Sequence, residues 1–174
     1  MTELDDFRAD KDAFFKQHPR CPLIGEQRAA FSGLDYFPED DALGIEAVLD
    51  TDVDRDEAVV METTAGGEQV YRRAGKVRFE LDGEPAELTL YASGQQWELF
   101  APFRDATSEK ETYGAGRYLE VEPPGEDGRV MVDFNLAYNP YCAYNPKWAC
   151  PIPPGENWLP VPIRAGEKAF GDVG

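Results

Sequence analysis

An arginine on the apolar face of a predicted strand is the first residue that suggests chemistry. In residues 117–122, Arg117 shares one face with Leu119 and Val121, because successive strand residues alternate between the two faces of a sheet. A guanidinium on a buried face needs a partner, since an unpaired buried charge is costly. Its planar fork matches carboxylates and other anions. Arg117 therefore predicts either a clamp for an anionic ligand or a structural salt bridge.

The structural alternative has two candidate partners, Asp133 and Glu156. A hairpin of the predicted strands 117–122 and 129–135 would bring Asp133 near the arginine. Matching the apolar residues of these strands sets Phe134 opposite Arg117 and turns Asp133 to the other face, and a slip of one residue would reverse this. We therefore expect Glu156 to be the partner.

Two cysteines close together in the chain, Cys142 and Cys150, are the second candidate. Four interpretations stay open: two buried inert thiols, a disulfide, a reactive thiol, or a metal site with Cys21 as third ligand. A reactive thiol needs a cation such as Lys147 or Arg117 to lower its pKa. The spacing is not that of a zinc ribbon, and no histidine lies nearby in the sequence. We expect reduced, structural thiols and no metal.

Both cysteines lie in residues 135–162, which we call the Pro/aromatic segment. It contains seven of the fourteen prolines, and proline lowers the entropy lost when irregular chain becomes ordered. Irregular segments of this length are usually functional or disordered. Its aromatic residues argue against disorder: Tyr138, Tyr141, Tyr144, Trp148 and Trp158. Its asparagines either cap turns or supply the polar groups of a ligand pocket: Asn135, Asn139, Asn145 and Asn157.

The elements that position these residues begin with an amphipathic helix, predicted over residues 2–17 of an N-terminal region 1–18. Thr2 with Asp5 resembles a capping box, and His18-Pro19 ends the helix. Its buried stripe repeats about every 3.6 residues and consists of Leu4, Phe7, Lys11, Phe14 and Phe15.

From residue 44 the hydrophobic period changes to two, which predicts strands over 44–50, 58–63, 68–74, 76–81, 86–92, 96–100, 117–122, 129–135 and 159–164. Short strands separated by tight turns are typical of antiparallel barrels and sandwiches. We therefore predict one mainly β domain, residues 1–174. It would be an antiparallel barrel or sandwich with strands over 44–135, an N-terminal helix, the Pro/aromatic segment as a long loop and a last strand over 159–164.

The charge balance is strongly acidic. Carboxylates outnumber cations 34 to 17, for a net charge of −17, and arginine exceeds lysine by 11 to 6. Such a surface repels nucleic acid and anionic membranes, so we expect neither as a partner. The pattern predicts adaptation to high salt, with an acidic face for a basic partner as the alternative. The N-terminal residues lack a signal-peptide pattern and no apolar run reaches membrane length, so we expect a cytoplasmic protein.

Two blocks of sequence carry a resemblance to a known family. Residues 112–119 read TYGAGRYL and residues 133–146 read DFNLAYNPYCAYNP. They resemble a bacterial and archaeal family, domain of unknown function 1684, and the match continues at Cys150-Pro151, Glu156-Asn157 and residues 159–168. The chain departs from the family pattern at Glu109, Gly155 and Trp158, where Gly, Pro and Arg are usual. The resemblance supports the location of a site and implies no reaction.

These observations predict a protein that binds, and in one version also transforms, a small polar or anionic molecule between the Arg117 strand and the Pro/aromatic segment. The alternatives are a non-catalytic interaction module that uses this segment, and a flavin-binding protein resembling a split barrel. Enzymatic activity, cofactor and oligomeric state stay open. The candidate ligand-binding residues are Tyr113, Arg117, Asn135, Tyr138, Asn139, Cys142, Tyr144, Glu156 and Asn157.

The charge balance also predicts that salt stabilises the fold. The Tm, followed by circular dichroism, should rise from dilute buffer to molar KCl, because screening over a Debye length of about 3 Å at 1 M weakens carboxylate repulsion. A reference protein of near-zero net charge, melted in the same buffers, separates this effect from the general action of salt on hydrophobic burial. An unchanged Tm would contradict adaptation to salt.

Overall fold

The computed structural model describes residues 2–92 and 98–170, which form two α-helices and two antiparallel sheets. The helices are α1 (Glu3–Gln17) and α2 (Gly25–Ala30). The strands are β1 (Gly44–Val48), β2 (Ala58–Glu62), β3 (Glu68–Leu81), β4 (Glu84–Ala92), β5 (Leu99–Phe103), β6 (Arg117–Val121) and β7 (Arg129–Asp133). Short 3₁₀ turns lie at Asp41–Leu43, Phe134–Leu136, Tyr141–Ala143 and Gly155–Asn157. The predicted mainly β, antiparallel class with an N-terminal helix is confirmed.

Helix α1 begins and ends at the residues that the sequence indicates. The Thr2 hydroxyl accepts a hydrogen bond from the Asp5 amide at 3.1 Å, and the Asp5 carboxylate accepts one from the Thr2 amide at 3.0 Å. These bonds satisfy two amides that the first helical turn leaves unpaired. At the other end, the His18 backbone turns extended after its amide bonds the Phe14 carbonyl. Neither helix of the described ranges has the length and apolar character needed to cross a membrane.

The strands pair as a five-stranded sheet, β2-β3-β4-β5-β6, and a two-stranded sheet, β1-β7. The hairpin of 117–122 with 129–135, considered above as a way to bring Asp133 near Arg117, therefore does not form. β6 pairs with β5, which sets Arg117 opposite Phe103, and β7 pairs with β1. The edge of β6 that such a hairpin would need is taken by Tyr138, whose amide and carbonyl both bond the backbone of Tyr118.

Strand β3 links the two sheets. The sequence predicts two strands, 68–74 and 76–81, whereas the structure has one strand with a bulge between Arg73 and Gly75. Just after the bulge, the backbone of Lys76 exchanges two hydrogen bonds with Asp50, at 2.8 and 2.9 Å, beyond the end of β1. A Cβ at position 75 would lie 2.8 Å from the Asp50 carbonyl oxygen, so this close approach requires glycine.

Both faces of the five-stranded sheet are covered. On one face, β1 and β7 complete a core whose fully buried members include Val77, Leu88, Leu90, Ala101, Leu119 and Val132. On the other face lies the Pro/aromatic segment, which crosses from Tyr138 at the β6 edge to Pro151, paired with Thr63 just after β2. The segment thus covers this face of the sheet with irregular chain, and its aromatic residues supply the apolar surface that packs there.

Two predictions about the strands need correction, and a third is tested only in part. Residues 159–164 do not form a strand, because Pro160 and Pro162 remove alternate amides that a ladder would use. The five-stranded sheet ends at β2 and β6, and no closed barrel forms among residues 2–92 and 98–170. Of the predicted strand 96–100, residues 96 and 97 lie outside the described residues, and the remainder overlaps the start of β5 at Leu99.

The close approach at Gly75 gives a stability prediction. Gly75→Ala should lower the free energy of unfolding by about 1–3 kcal/mol, because the new methyl group overlaps Leu49 and the backbone of Asp50. Guanidinium unfolding at constant KCl measures the loss. Gly25→Ala is the matched control, since no heavy atom lies within 4 Å of its ideal Cβ. Equal stabilities for the two variants would show that β3 does not approach β1 as described.

Candidate functional site

Arg117, the first predicted site residue, is fully buried at 0% exposure and bonds only protein groups. Its Nη2 donates to the Ile163 carbonyl at 2.9 Å and to the Asp105 carboxylate at 3.4 Å. Its Nη1 donates to the carbonyls of Ala165 and Glu167. Four of its hydrogen bonds go to protein oxygens, whereas its buried Nε has no partner among the described residues. These contacts match the structural salt bridge, and the clamp for an anionic ligand stays a prediction.

Asp105 is the partner that the sequence analysis missed; the predicted partners, Glu156 and Asp133, lie elsewhere. Asp105 follows β5, and its second carboxylate oxygen accepts hydrogen bonds from the Thr107 hydroxyl at 2.7 Å and the Ile163 amide at 2.7 Å. Burial lowers the pKa of Arg117, and the Asp105 carboxylate opposes that shift. The pair is thus a buried ion pair whose hydrogen bonds compensate for lost hydration.

Glu156 and Asn157 fasten the Pro/aromatic segment to the sheet. The Glu156 carboxylate accepts from the Tyr91 hydroxyl and from Arg73, whose Nε lies 3.2 Å away. The Asn157 side chain is fully buried and bonds both the amide and the carbonyl of Thr89, at 2.8 and 2.9 Å. The Asn157 side-chain amide therefore replaces a stretch of paired backbone beside β4, and neither residue lines any of the four grooves described among residues 2–92 and 98–170.

Asn135 has a similar role at the start of the segment. Its side-chain oxygen accepts from the Asp40 amide at 2.9 Å, and its nitrogen donates to the Asp40 carbonyl at 2.9 Å. Asp133 lies beside it and accepts from the Asn135 side chain. The Asn135 side chain therefore joins two distant segments of the chain. This role differs from both predicted alternatives, a turn cap and a ligand contact.

Asn139 and Tyr144 belong to a cluster around Glu167, whose carboxylate is buried. The carboxylate forms an ion pair with Lys11 of α1 and accepts from the Tyr144 hydroxyl at 2.5 Å and the Asn139 amide at 3.3 Å. Burial and then the Glu167 charge raise the pKa of Tyr144. Lys11 occupied a position on the predicted apolar stripe, and a lysine there is a sequence signal for a buried anion, since its charge must be matched.

Cys142, Cys150 and Tyr113 form a sulfur site under the segment. The Cys142 amide donates to the Cys150 sulfur at 3.3 Å, and the Tyr113 hydroxyl donates to the Cys142 sulfur at 3.4 Å. All three cysteines are free and buried. Cys21 lies in a different cluster, where its thiol bonds the Phe15 carbonyl at 3.2 Å. Residues 2–92 and 98–170 contain no His, Cys, Asp and Glu cluster suited to a metal ion.

Two adjoining grooves separate α1 from the Pro/aromatic segment, and they share Phe14 and Tyr141. The first also contains Tyr138, whose hydroxyl donates to Glu120. The second, which we call the basic groove, has a volume of about 620 Å³. Its lining is Phe14, His18, Pro19, Arg20, Cys21, Tyr141, Lys147 and Trp148.

The nine predicted residues therefore do not form one pocket. Arg117, Glu156, Asn157 and Asn135 make structural bonds, Asn139 and Tyr144 surround Glu167, Cys142 and Tyr113 form the sulfur site, and Tyr138 alone lines a described groove. The sequence analysis missed Arg20 and Trp148. Cations beside aromatic residues in so acidic a chain are the signal that would have found them.

The fold and its clusters define a mainly β protein with antiparallel sheets, over which a proline-rich segment is fastened by buried polar side chains. The family comparison agrees with this description at the level of sequence. The chain belongs to the family described as "Protein of unknown function (DUF1684)", whose model matches residues 29–168.

A solved structure resembles the chain over almost its whole length. It is the solution NMR structure of the uncharacterized protein from gene locus rrnAC0354 of Haloarcula marismortui. The two proteins are 38% identical, the alignment covers 95% of this chain and 92% of that one, and the TM-score is 0.73. A search of curated proteins finds no match. The interaction-module and flavin-binding alternatives stay predictions.

The buried ion pair predicts how losses combine. Arg117→Met should lower the free energy of unfolding by about 3–5 kcal/mol, because it leaves the Asp105 carboxylate buried without its cation. The double variant Arg117→Met with Asp105→Asn should lose much less stability than the sum of the two single losses. The double variant Arg117→Met with Glu156→Gln should lose the full sum, since Glu156 contacts Arg73 instead. Chemical denaturation of the three single and two double variants measures this. Additivity between positions 117 and 105 would contradict the pairing.

Proposed function

We propose that the protein binds a small anionic molecule with a planar or apolar body, and that the basic groove is its binding site. The observation that carries the proposal is the charge of the lining. Arg20 and Lys147 line the groove, no carboxylate lies among its described lining residues, and the chain as a whole has a net charge of −17. Local positive charge in so acidic a protein favours an anionic ligand.

The other described grooves differ in charge. One is lined by six carboxylates and a single arginine, and the other two each contain at least two carboxylates. Eight of the 17 lysines and arginines form salt bridges with carboxylates, whereas Arg20 and Lys147 form none with the described residues. Their charges are therefore available to a ligand.

The end of α1 does not cancel this positive charge. Carbonyl groups at a helix C-terminus carry partial negative charge that would repel an anion. Here cationic side chains oppose that charge: Lys16 lies in the last turn of α1, and Arg28 donates to the His18 carbonyl at 2.7 Å. The helix end is thus locally compensated, and Arg20 and Lys147 keep their effect.

Aromatic rings supply the apolar part of the site. Tyr141 and Trp148 meet edge to face, with ring centroids 5.2 Å apart, and Phe14 stacks on His18 at 4.6 Å. The Lys147 ammonium lies 5.5 Å from the Trp148 ring centroid, so a cation and a ring face adjoin. A ligand with both an anionic group and a planar body would use both features. Compared with the sequence-based hypothesis, the proposal keeps the Pro/aromatic segment as one wall and replaces the Arg117 strand by the end of α1.

Removal of the two cations tests the proposal. We expect the double variant Arg20→Gln and Lys147→Gln to bind the aromatic anion anilinonaphthalene sulfonate about tenfold more weakly, because two exposed charges contribute together about 1–2 kcal/mol. Titration followed by the fluorescence of the probe, and by that of Trp148, gives the Kd. Trp148→Phe identifies the tryptophan contribution.

The matched control is Arg55→Gln with Lys110→Gln. It makes the same change in net charge at exposed positions outside the groove. The control should keep the wild-type affinity within about twofold, an effect equivalent to about 0.4 kcal/mol. If both double variants lose affinity equally, the probe responds to net charge alone and the basic groove is not the site.

A further inference from the structure

The sulfur site has a geometry that the proposed function does not use. The side chains of Cys142 and Cys150 lie in one buried cluster, and the Cys142 backbone amide lies 3.3 Å from the Cys150 sulfur. The Tyr113 hydroxyl donates to the Cys142 sulfur from the other side. Because the Cys150 sulfur lies this close to the backbone of Cys142, side-chain rotation and a small approach bring the two sulfurs to bonding distance.

We infer that Cys142 and Cys150 are a reversible redox pair, which a low-molecular-weight disulfide oxidises to an intramolecular disulfide. The Cys142 thiolate attacks one sulfur of the disulfide, its S–S bond breaks, and one thiolate leaves and takes a proton. Cys150 then loses its proton to solvent, attacks the Cys142 sulfur in the mixed disulfide and releases the second thiol. Two electrons pass from the cysteines to the reagent, which becomes two thiols.

The hydrogen bonds assign different roles to the two sulfurs. Hydrogen bonding from the Cys150 thiol, assisted by the Tyr113 hydroxyl, lowers the pKa of Cys142 against the opposing effect of burial. The same contact with Cys142, together with burial, raises the pKa of Cys150. Because the Tyr113 hydroxyl donates to Cys142, we assign Cys142 as the attacking sulfur and Cys150 as the one that resolves the mixed disulfide.

A disulfide between Cys142 and Cys150 would not disturb either sheet, because the chain between them forms turns and no strand. This chain consists of the 3₁₀ turn Tyr141–Ala143 and a turn in which the Trp148 amide bonds the Asn145 carbonyl at 3.2 Å. Residues 146–149 are exposed, so a small reagent approaches the pair from that side. Cys21 is equally buried but has no second sulfur beside it, which makes it an internal control.

Thiol mapping tests the inference. The folded protein is incubated with oxidised glutathione in KCl near pH 7, then denatured and alkylated, and its peptides are identified by mass spectrometry. We expect a disulfide between Cys142 and Cys150, an alkylated Cys21, and recovery of all three thiols after reduction with dithiothreitol. Three alkylated cysteines after incubation, or a modification confined to Cys21, would overturn the inference.

Single variants test the assignment of roles. Cys150→Ser should accumulate a mixed disulfide of glutathione at Cys142, whose thiolate the Tyr113 hydroxyl stabilises. Cys142→Ser should leave Cys150 at least tenfold less modified at the same pH, because burial still raises its pKa and Tyr113 does not donate to its sulfur. Tyr113→Phe should slow the oxidation of the wild-type pair at neutral pH and change it least at alkaline pH, where Cys142 ionises without help. Cys21→Ser is the control and should form the disulfide at the wild-type rate. Equal modification of Cys142 and Cys150 in the two single variants would overturn the assigned roles.

Discussion

The guanidinium of Arg117 connects the sheet to the irregular chain that follows it. The carbonyls of residues 163, 165 and 167 all converge on this one side chain. Extended chain presents alternate carbonyls on one side, and these would normally bond a neighbouring strand. Pro160 and Pro162 lie just before this stretch and have no backbone N–H to donate to a neighbouring strand. The N–H groups of the Arg117 guanidinium therefore bond the carbonyls that a paired strand would otherwise bond. Asp105 supplies the charge that allows the guanidinium to remain buried.

This interaction also sets the position of α1. The chain that Arg117 orders leads directly to Glu167, whose carbonyl bonds the guanidinium and whose carboxylate pairs with Lys11 and bonds Tyr144. A single run of buried polar contacts therefore joins β6, the C-terminal chain, α1 and the Pro/aromatic segment. Loss of the first contact would affect the others, since they depend on the same few residues of backbone. Polar side chains substitute for paired backbone again at Asn157 and Asn135.

The sequence predicts the structural features that depend on residues close together in the chain. It does not predict the contacts that depend on residues far apart in the chain. The capping box of α1 and most strands follow from local periodicity, which each short window contains in full. The partner of Arg117 does not, because Asp105 is twelve residues away in a segment without periodicity, and its role appears only once β5 and β6 are paired. The hairpin of 117–122 with 129–135 does not form for the same reason. Tyr138, which follows β7 in the chain, pairs with the edge of β6 that this hairpin would need. Asparagine and arginine were correctly recognised as residues that need partners, but a buried carbonyl satisfies them as well as a ligand does.

The basic groove and the sulfur site both lie where the Pro/aromatic segment has few contacts with the two sheets. The Pro/aromatic segment is fixed at its start by Tyr138 and near its end by Pro151 and Asn157. Between these anchors, residues 141–150 are held mainly by local turns and by the sulfur site, and none pairs with a strand. Tyr144 there bonds Glu167, but the side chains of Tyr141, Lys147 and Trp148 form no hydrogen bond or salt bridge with the described residues. These groove residues and the sulfurs of Cys142 and Cys150 therefore lie in one ten-residue stretch, because backbone bridges and buried polar side chains fix the segment on either side of it.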